Sequence, residues 1–222
     1  MSDFLIAARP HPFPLDVQNA ALLVIDVQND FCHLEGFCQN DLNLDGALMR
    51  AVLEPIEYLV RWAREREIPV IWTLEAHLTD LSDVSPSKSL RYANAGYPPG
   101  SQGKRGRFLV QGEWGAKVVE DLSPREDELV LYKPAQSVFV ATDLEASLHQ
   151  RGITHLIFCG VTTQCCVLAS YRQAADLGFF SLLIEDCCAA FELSEHQAAL
   201  EVITSEGGAV GWTARLKDLT AV

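Results

Sequence analysis

The sequence predicts an α/β protein: one open parallel sheet with helices on both faces. Two observations carry that reading. Five short, continuous apolar runs (21–25, 69–74, 128–132, 155–159 and 179–184) are rich in Val, Ile, Leu and Phe, the pattern of strands buried on both faces. Segments with helical spacing lie between them, and strands alternating with helices imply right-handed crossovers and a parallel sheet.

Taken in order, the first run, Ala21–Ile25, is followed by Leu48, Val52, Ile56, Leu59, Val60 and Ala63 at spacings of three and four, an amphipathic helix. Pro55 marks either a kink or a fresh helix start there. After the second run, residues 79–113 carry Asp80, Asp83, Ser85, Pro86, Pro98, Pro99, Gly100 and Gly103 with little periodicity. So long an irregular stretch in a compact domain is usually a functional loop. Helices are expected at 144–150, 167–177 and 195–205. All 222 residues are expected to form one domain, with 1–14 as an N-terminal extension.

A composition of 49% hydrophobic and 21% charged residues is that of a folded globular chain. The formal net charge of −13 argues against nucleic acid or an anionic membrane as partner. No apolar stretch reaches the roughly 18 residues of a membrane span, and the first residues show no secretory pattern. Seven cysteines, several in apolar runs or adjacent pairs, read as reduced thiols in a cytoplasm. A CxxC pattern is absent, so neither a zinc site nor a redox pair is indicated.

In an open parallel sheet, ligands bind beyond the carboxyl ends of the strands. Three of the runs lead there into reactive groups. The first ends in Asp26, the third in Lys133-Pro134, and the fourth leads through Gly160-Val161-Thr162-Thr163-Gln164 to Cys165-Cys166. Each alone has an ordinary reading: a helix cap, a solvated lysine, a small buried hydrophobe. Glycine allows the sharp turn out of the strand, and Thr163 is the expected N-cap of the next helix. Cys166 then falls in that helix's first turn, where free N–H groups and the helix dipole favour the thiolate. Cys165, about 100° around the helix, is expected to pack inward. A nucleophile, a carboxylate and a cation at one sheet edge are much less ordinary together.

At these residues the chain resembles the isochorismatase-like cysteine hydrolases. The resemblance rests on Leu22-Leu23-Val24-Ile25-Asp26-Val27-Gln28-Asn29-Asp30-Phe31, Lys133-Pro134, and Gly160-Val161-Thr162-Thr163 with Cys166-Val167. It implies a three-layer fold around a sheet of about six strands, a homotetramer, and a catalytic triad of Asp26, Lys133 and Cys166. It also implies a cis peptide before Thr162, an oxyanion hole from the backbone N–H groups of Thr162 and Cys166, and no organic cofactor. Segments such as Leu74-Glu75-Ala76-His77 and Gly207-Gly208 are similar to the biuret, triuret and ureidoacrylate amidohydrolases, whose substrates are small, linear, urea-derived amides. The zinc-binding nicotinamidases need an Asp-x-His constellation that is not found around His77, so no metal is expected.

Three residues are expected at the substrate. Phe31 matches a pocket-lining position, Gln136 stands where relatives tend to have lysine, and Glu206 stands where biuret-type relatives commonly have glutamine. A carboxylate accepts hydrogen bonds but donates none, so Glu206 suits the N–H-rich end of triuret, with biuret second. The expected reaction begins with Asp26 taking the proton of Cys166 while Lys133 stabilises the thiolate. The thiolate attacks an amide carbonyl, and the thioester is then hydrolysed. Two other readings compete. One keeps the triad and changes the substrate to another amide or an isochorismate-like vinyl ether; the other is a non-catalytic oligomeric scaffold or thiol-redox protein using Cys165–Cys166.

Overall fold

A computed structural model describes residues 4–221; the first three positions of the expected extension and the last of the domain lie outside the described residues. Six parallel strands form the central sheet: β1 (Ala20–Ile25), β2 (Val70–Glu75), β3 (Leu129–Lys133), β4 (His155–Val161), β5 (Phe180–Ala189) and β6 (Trp212–Ala214). Their spatial order is β6-β5-β4-β1-β2-β3. The chain works outward from β1 in one direction, returns, and works outward from β4 in the other. The crevice between β1 and β4 is therefore the topological switch point, where such sheets bind ligands.

The alternation along β1 shows how the layers form. Leu22 and Val24 face one core with Ile56, Leu59 and Val60 of helix α1 (Leu53–Glu65), while Ala21, Leu23 and Ile25 face the other. That second core is closed by Leu144 and Leu148 of α3 (Leu144–Gln150) and by Tyr171 and Ala174 of α4 (Leu168–Asp176). Pro55 lies in the first turn of α1, so it starts a fresh helix rather than kinking one.

Four expectations change. Strand β3 is an edge strand, buried only in alternation, with Val130 and Tyr132 exposed. Strand β6 lies outside the five apolar runs. The first residues are tied down: Phe4–Ile6 pairs with Phe13–Leu15, and Arg9 bonds to Thr213 of β6 through both backbone groups. The segment 79–113 contains helix α2 (Pro86–Asn94) and a small ribbon, Gln102–Gly103 with Gly106–Arg107. Ser85 caps α2 by accepting the Lys88 N–H at 3.2 Å, and Pro86 fills the first turn.

Candidate active site

Strand direction places the site. Asp26, Glu75 and Lys133 stand at the carboxyl ends of β1, β2 and β3, and Cys166 follows β4. Gly160 allows β4 to approach β1: at φ 115°, a side chain there would meet the Ile25 carbonyl oxygen at 2.1 Å. The Val161–Thr162 peptide is cis. From Thr163 to Val167 the backbone forms a wide turn in which the Cys165 and Val167 N–H groups both donate to the Thr162 carbonyl, at 3.1 and 3.3 Å. Such turns often mark functional sites. The turn changes two local expectations. Thr163 is not the cap; its hydroxyl pairs instead with His196 Nδ1 at 2.8 Å. Cys165 is half-buried and lines the cavity beside Cys166.

Four charged side chains are buried together. Lys133 Nζ stands 2.7 Å from Asp26 Oδ2 and 3.6 Å from Glu75 Oε2. It also donates to the Ala135 carbonyl at 2.9 Å. Asp26, at φ 50°, accepts a hydrogen bond from Thr73 Oγ1 on Oδ1 at 2.7 Å. Lys88 Nζ lies 2.6 Å from Glu75 Oε1, and Tyr92 donates to the same oxygen at 3.1 Å. The Gln28 side chain clasps the Glu75 backbone, accepting from its N–H at 2.8 Å and donating to its carbonyl at 3.1 Å. Two carboxylates thus face two ammonium groups, which is how buried charge is tolerated.

These surroundings split the carboxylates. Burial raises the Asp26 carboxyl above its usual range, with Lys133 opposing. For Glu75 burial acts the same way, but the charges of Lys133 and Lys88 overcome it and hold the group down at about 2. The Cys166 thiol is pushed well above its usual range by its hydrogen bond with Cys165 and by burial, against the pull of Lys133. That direction is opposite to the lowering expected from the helix dipole. The thiol's hydrogen bond goes to Glu75 Oε2 at 3.0 Å.

The sequence reading brought Asp26, Lys133 and Cys166 together, and the structure does so too. It missed Glu75, Lys88 and Tyr92. One oxygen of Asp26, one of Glu75 and the Cys166 sulfur lie within 4.8 Å of one another. That donor set does not suit a metal ion, because the Lys133 ammonium already sits against the same carboxylates.

A cavity of about 460 Å³ opens over Cys166. Phe31, Tyr92, Tyr97, Phe108 and Phe191 give it an aromatic wall, and Gln136 and Thr162 also line it. Glu206 does not. Helix α5 (Leu193–Thr204) starts beside the cavity, which Glu192 and Glu195 line. Its 12 residues span about 18 Å, and Glu206 is exposed at the far end, just before β6 begins.

A doubly wound sheet that gathers a thiol, carboxylates and a buried lysine at its switch point defines the cysteine-hydrolase class. Within it, the chain belongs to the isochorismatase family: the isochorismatase domain matches residues 20–215. Among solved structures, the chain is similar to a cysteine hydrolase from Pseudomonas syringae pv. phaseolicola 1448A, at 22% identity and TM-score 0.80, covering 100% of this chain and 97% of that one. It is also similar to N-carbamoylsarcosine amidase from Thermoplasma acidophilum (20% identity, TM-score 0.66, 89% and 96% covered). A nicotinamidase from Bacillus subtilis is a third (22% identity, TM-score 0.67, 89% and 99% covered). At these identities the likeness establishes the shared fold.

Proposed function

We propose that the protein is a cysteine-dependent amidohydrolase that cleaves a C–N bond in a small planar amide through a thioacyl-enzyme. The observation that carries this reading is Cys166 at the cavity wall, bordered by two buried carboxylates and backed by the fully buried Lys133. Cys166 Sγ attacks the amide carbonyl, and the carbonyl π pair moves to oxygen, where the Thr162 and Cys166 N–H groups receive it. Collapse breaks the C–N bond, and the departing nitrogen takes the proton that the thiol gave up. Water then attacks the thioester with Asp26 accepting its proton; the C–S bond breaks, the acid product leaves, and the proton returns from Asp26 to the sulfur. That two of the similar structures are amidases by name supports C–N chemistry.

The finer substrate reading, triuret before biuret, loses its Glu206 argument and rests on the sequence resemblance, Gln136 and the aromatic wall. Planar ureido groups stack on aromatic rings as well as aryl amides do, so the wall supports the planar class rather than one member. The test is ammonia release from triuret, biuret, a ureidoacrylate-type amide and nicotinamide. At least one should be turned over, and Cys166→Ser should abolish release, a loss of at least about a thousandfold. Silence across the panel would sink the amidase reading and favour an isochorismate-like vinyl ether.

A further inference from the structure

The turn that carries Cys166 is held from outside itself. Its far end runs straight into α4, but its near end, Thr163 and Gln164, follows the end of β4 with no helix before it. Two side chains leave that near end for the same place, the first turn of α5. The Thr163 hydroxyl, fully buried, lies 2.8 Å from His196 Nδ1, and Gln164 Nε2 donates to Glu195 Oε2 at 2.7 Å. Consecutive residues of the turn thus meet consecutive residues of the helix in opposite order.

These contacts reach the sulfur through the backbone. A β-branched side chain has few rotamers, so holding the Thr163 hydroxyl also holds the main chain beneath it. The N–H groups of Cys165 and Val167 both donate to the Thr162 carbonyl, so Cys166, between them, moves with Thr162 and Thr163 as one piece. Neither Thr163 nor His196 lines the cavity. Any effect of theirs on turnover therefore acts through Cys166 and not through contact with the substrate.

We propose that His196 is a positioning residue for the nucleophile: with Glu195 it clamps the first two residues of the turn, and so sets where the Cys166 sulfur and N–H stand against the substrate carbonyl. The proposal rests on the cysteine-hydrolase reading above and leaves the proton transfers of Asp26 as they are. Attack needs the sulfur and the carbonyl carbon about 3–3.5 Å apart and aligned, and a displacement of about 1 Å can cost about a hundredfold in rate.

The test breaks the clamp one half at a time and reads kcat apart from KM. Thr163→Val keeps the shape and loses the hydroxyl, while His196→Leu loses its partner. Each should lower kcat by about ten- to a hundredfold and leave KM within about twofold. Thr163→Ser keeps the hydroxyl and should stay within about threefold of the wild type. The double variant should match the slower single one within about threefold, because both changes break the same bond. Losses of kcat that multiply, a serine variant as slow as the valine one, or an unchanged kcat overturns the proposal.

A second readout needs no amide. Cys166 is buried, and burial helps to hold its thiol up, so releasing the turn should make the sulfur more reactive. Alkylation of Cys166 by iodoacetamide at pH 7, followed residue by residue by mass spectrometry, should rise about threefold or more in Thr163→Val but not in Thr163→Ser. Unchanged or slower alkylation in the valine variant overturns the clamp. Faster alkylation with no amide turned over supports the clamp and counts only against the amidase reading. Should Thr163→Val not fold, Glu195→Ala on the exposed half of the clamp tests the same point. Its kcat should fall by about threefold or more, and an unchanged kcat, whatever KM does, overturns the proposal.

Discussion

The two ends of the sheet handle polar groups in opposite ways. At the carboxyl edge, Asp26, Glu75, Lys88 and Lys133 are all buried, and their charges are balanced only by one another. At the amino edge, His155 is buried among rings, stacked on Phe180 at 4.7 Å and set edge-on to Phe13 at 6.0 Å. Burial lowers its pKa, opposed by the charge of Asp16. One edge buries its charges together; the other leaves its Arg64–Glu128 pair partly exposed and buries an imidazole whose charged form burial disfavours. In a parallel sheet every strand points the same way, so only one edge collects the loops that can surround a substrate. Helix α5 joins the two edges, which is why Glu192 lines the cavity while Glu206 lies in solvent.

The sharpest way to break this contrast is to remove a charge at the carboxyl edge. Lys133→Met leaves Asp26 and Glu75 sharing the single ammonium of Lys88. An uncompensated buried charge costs about 3–5 kcal/mol, so denaturant unfolding should show a loss of that order. Adding Asp26→Asn should recover part of it, because the second change removes the stranded charge. Losses that simply add would mean that the cluster is not one electrostatic unit.

A smaller effect tests how the 79–113 segment is held over the site. Asp30 is buried and accepts a hydrogen bond from the Leu109 N–H on Oδ2 at 3.1 Å. Burial raises its pKa to about 6, against the hydrogen bonds from the Leu109 and Phe37 N–H groups. The unfolded chain has the lower value, about 3.9, so the folded state binds the proton more tightly. Its contribution is fully present below about pH 4 and is lost as pH rises through about 6. Relative to Asp30→Asn, the wild type should lose on the order of 2–3 kcal/mol between about pH 4 and 7. A difference between the two that is flat with pH would contradict this account of Asp30.

What the sequence made legible follows the same physics. Five of the six sheet strands announce themselves as continuous apolar runs. Strand β6, three residues long and paired only with β5, buries too little to leave such a trace. Asp26 and Lys133 were visible because a charged group closing an apolar run is conspicuous, and Cys166 because it falls where the next helix was expected to start. Glu75 closes the second run in the same way and carried the same signal. Lys88 and Tyr92 were hidden by the prolines and glycines around them. The Ser85-Pro86 helix start was the available clue, and it places Lys88 and Tyr92 on one face. No local pattern shows which oxygen of which carboxylate a thiol will meet, since that depends on four strand ends meeting in space.

The smallest expected effect belongs to Glu206. Its carboxylate is exposed and outside the cavity, so Glu206→Gln removes a surface charge and little else. Surface changes of this kind usually alter stability by less than about 0.5 kcal/mol, and the rates on triuret and biuret should stay within about twofold. Paired with Glu75→Gln, the variant compares one chemical change, carboxylate to carboxamide, at opposite edges of the same sheet. A changed preference between triuret and biuret would put Glu206 back at the substrate. Because one chain holds it at the far end of α5, that result would require the residue to reach the cavity of another copy.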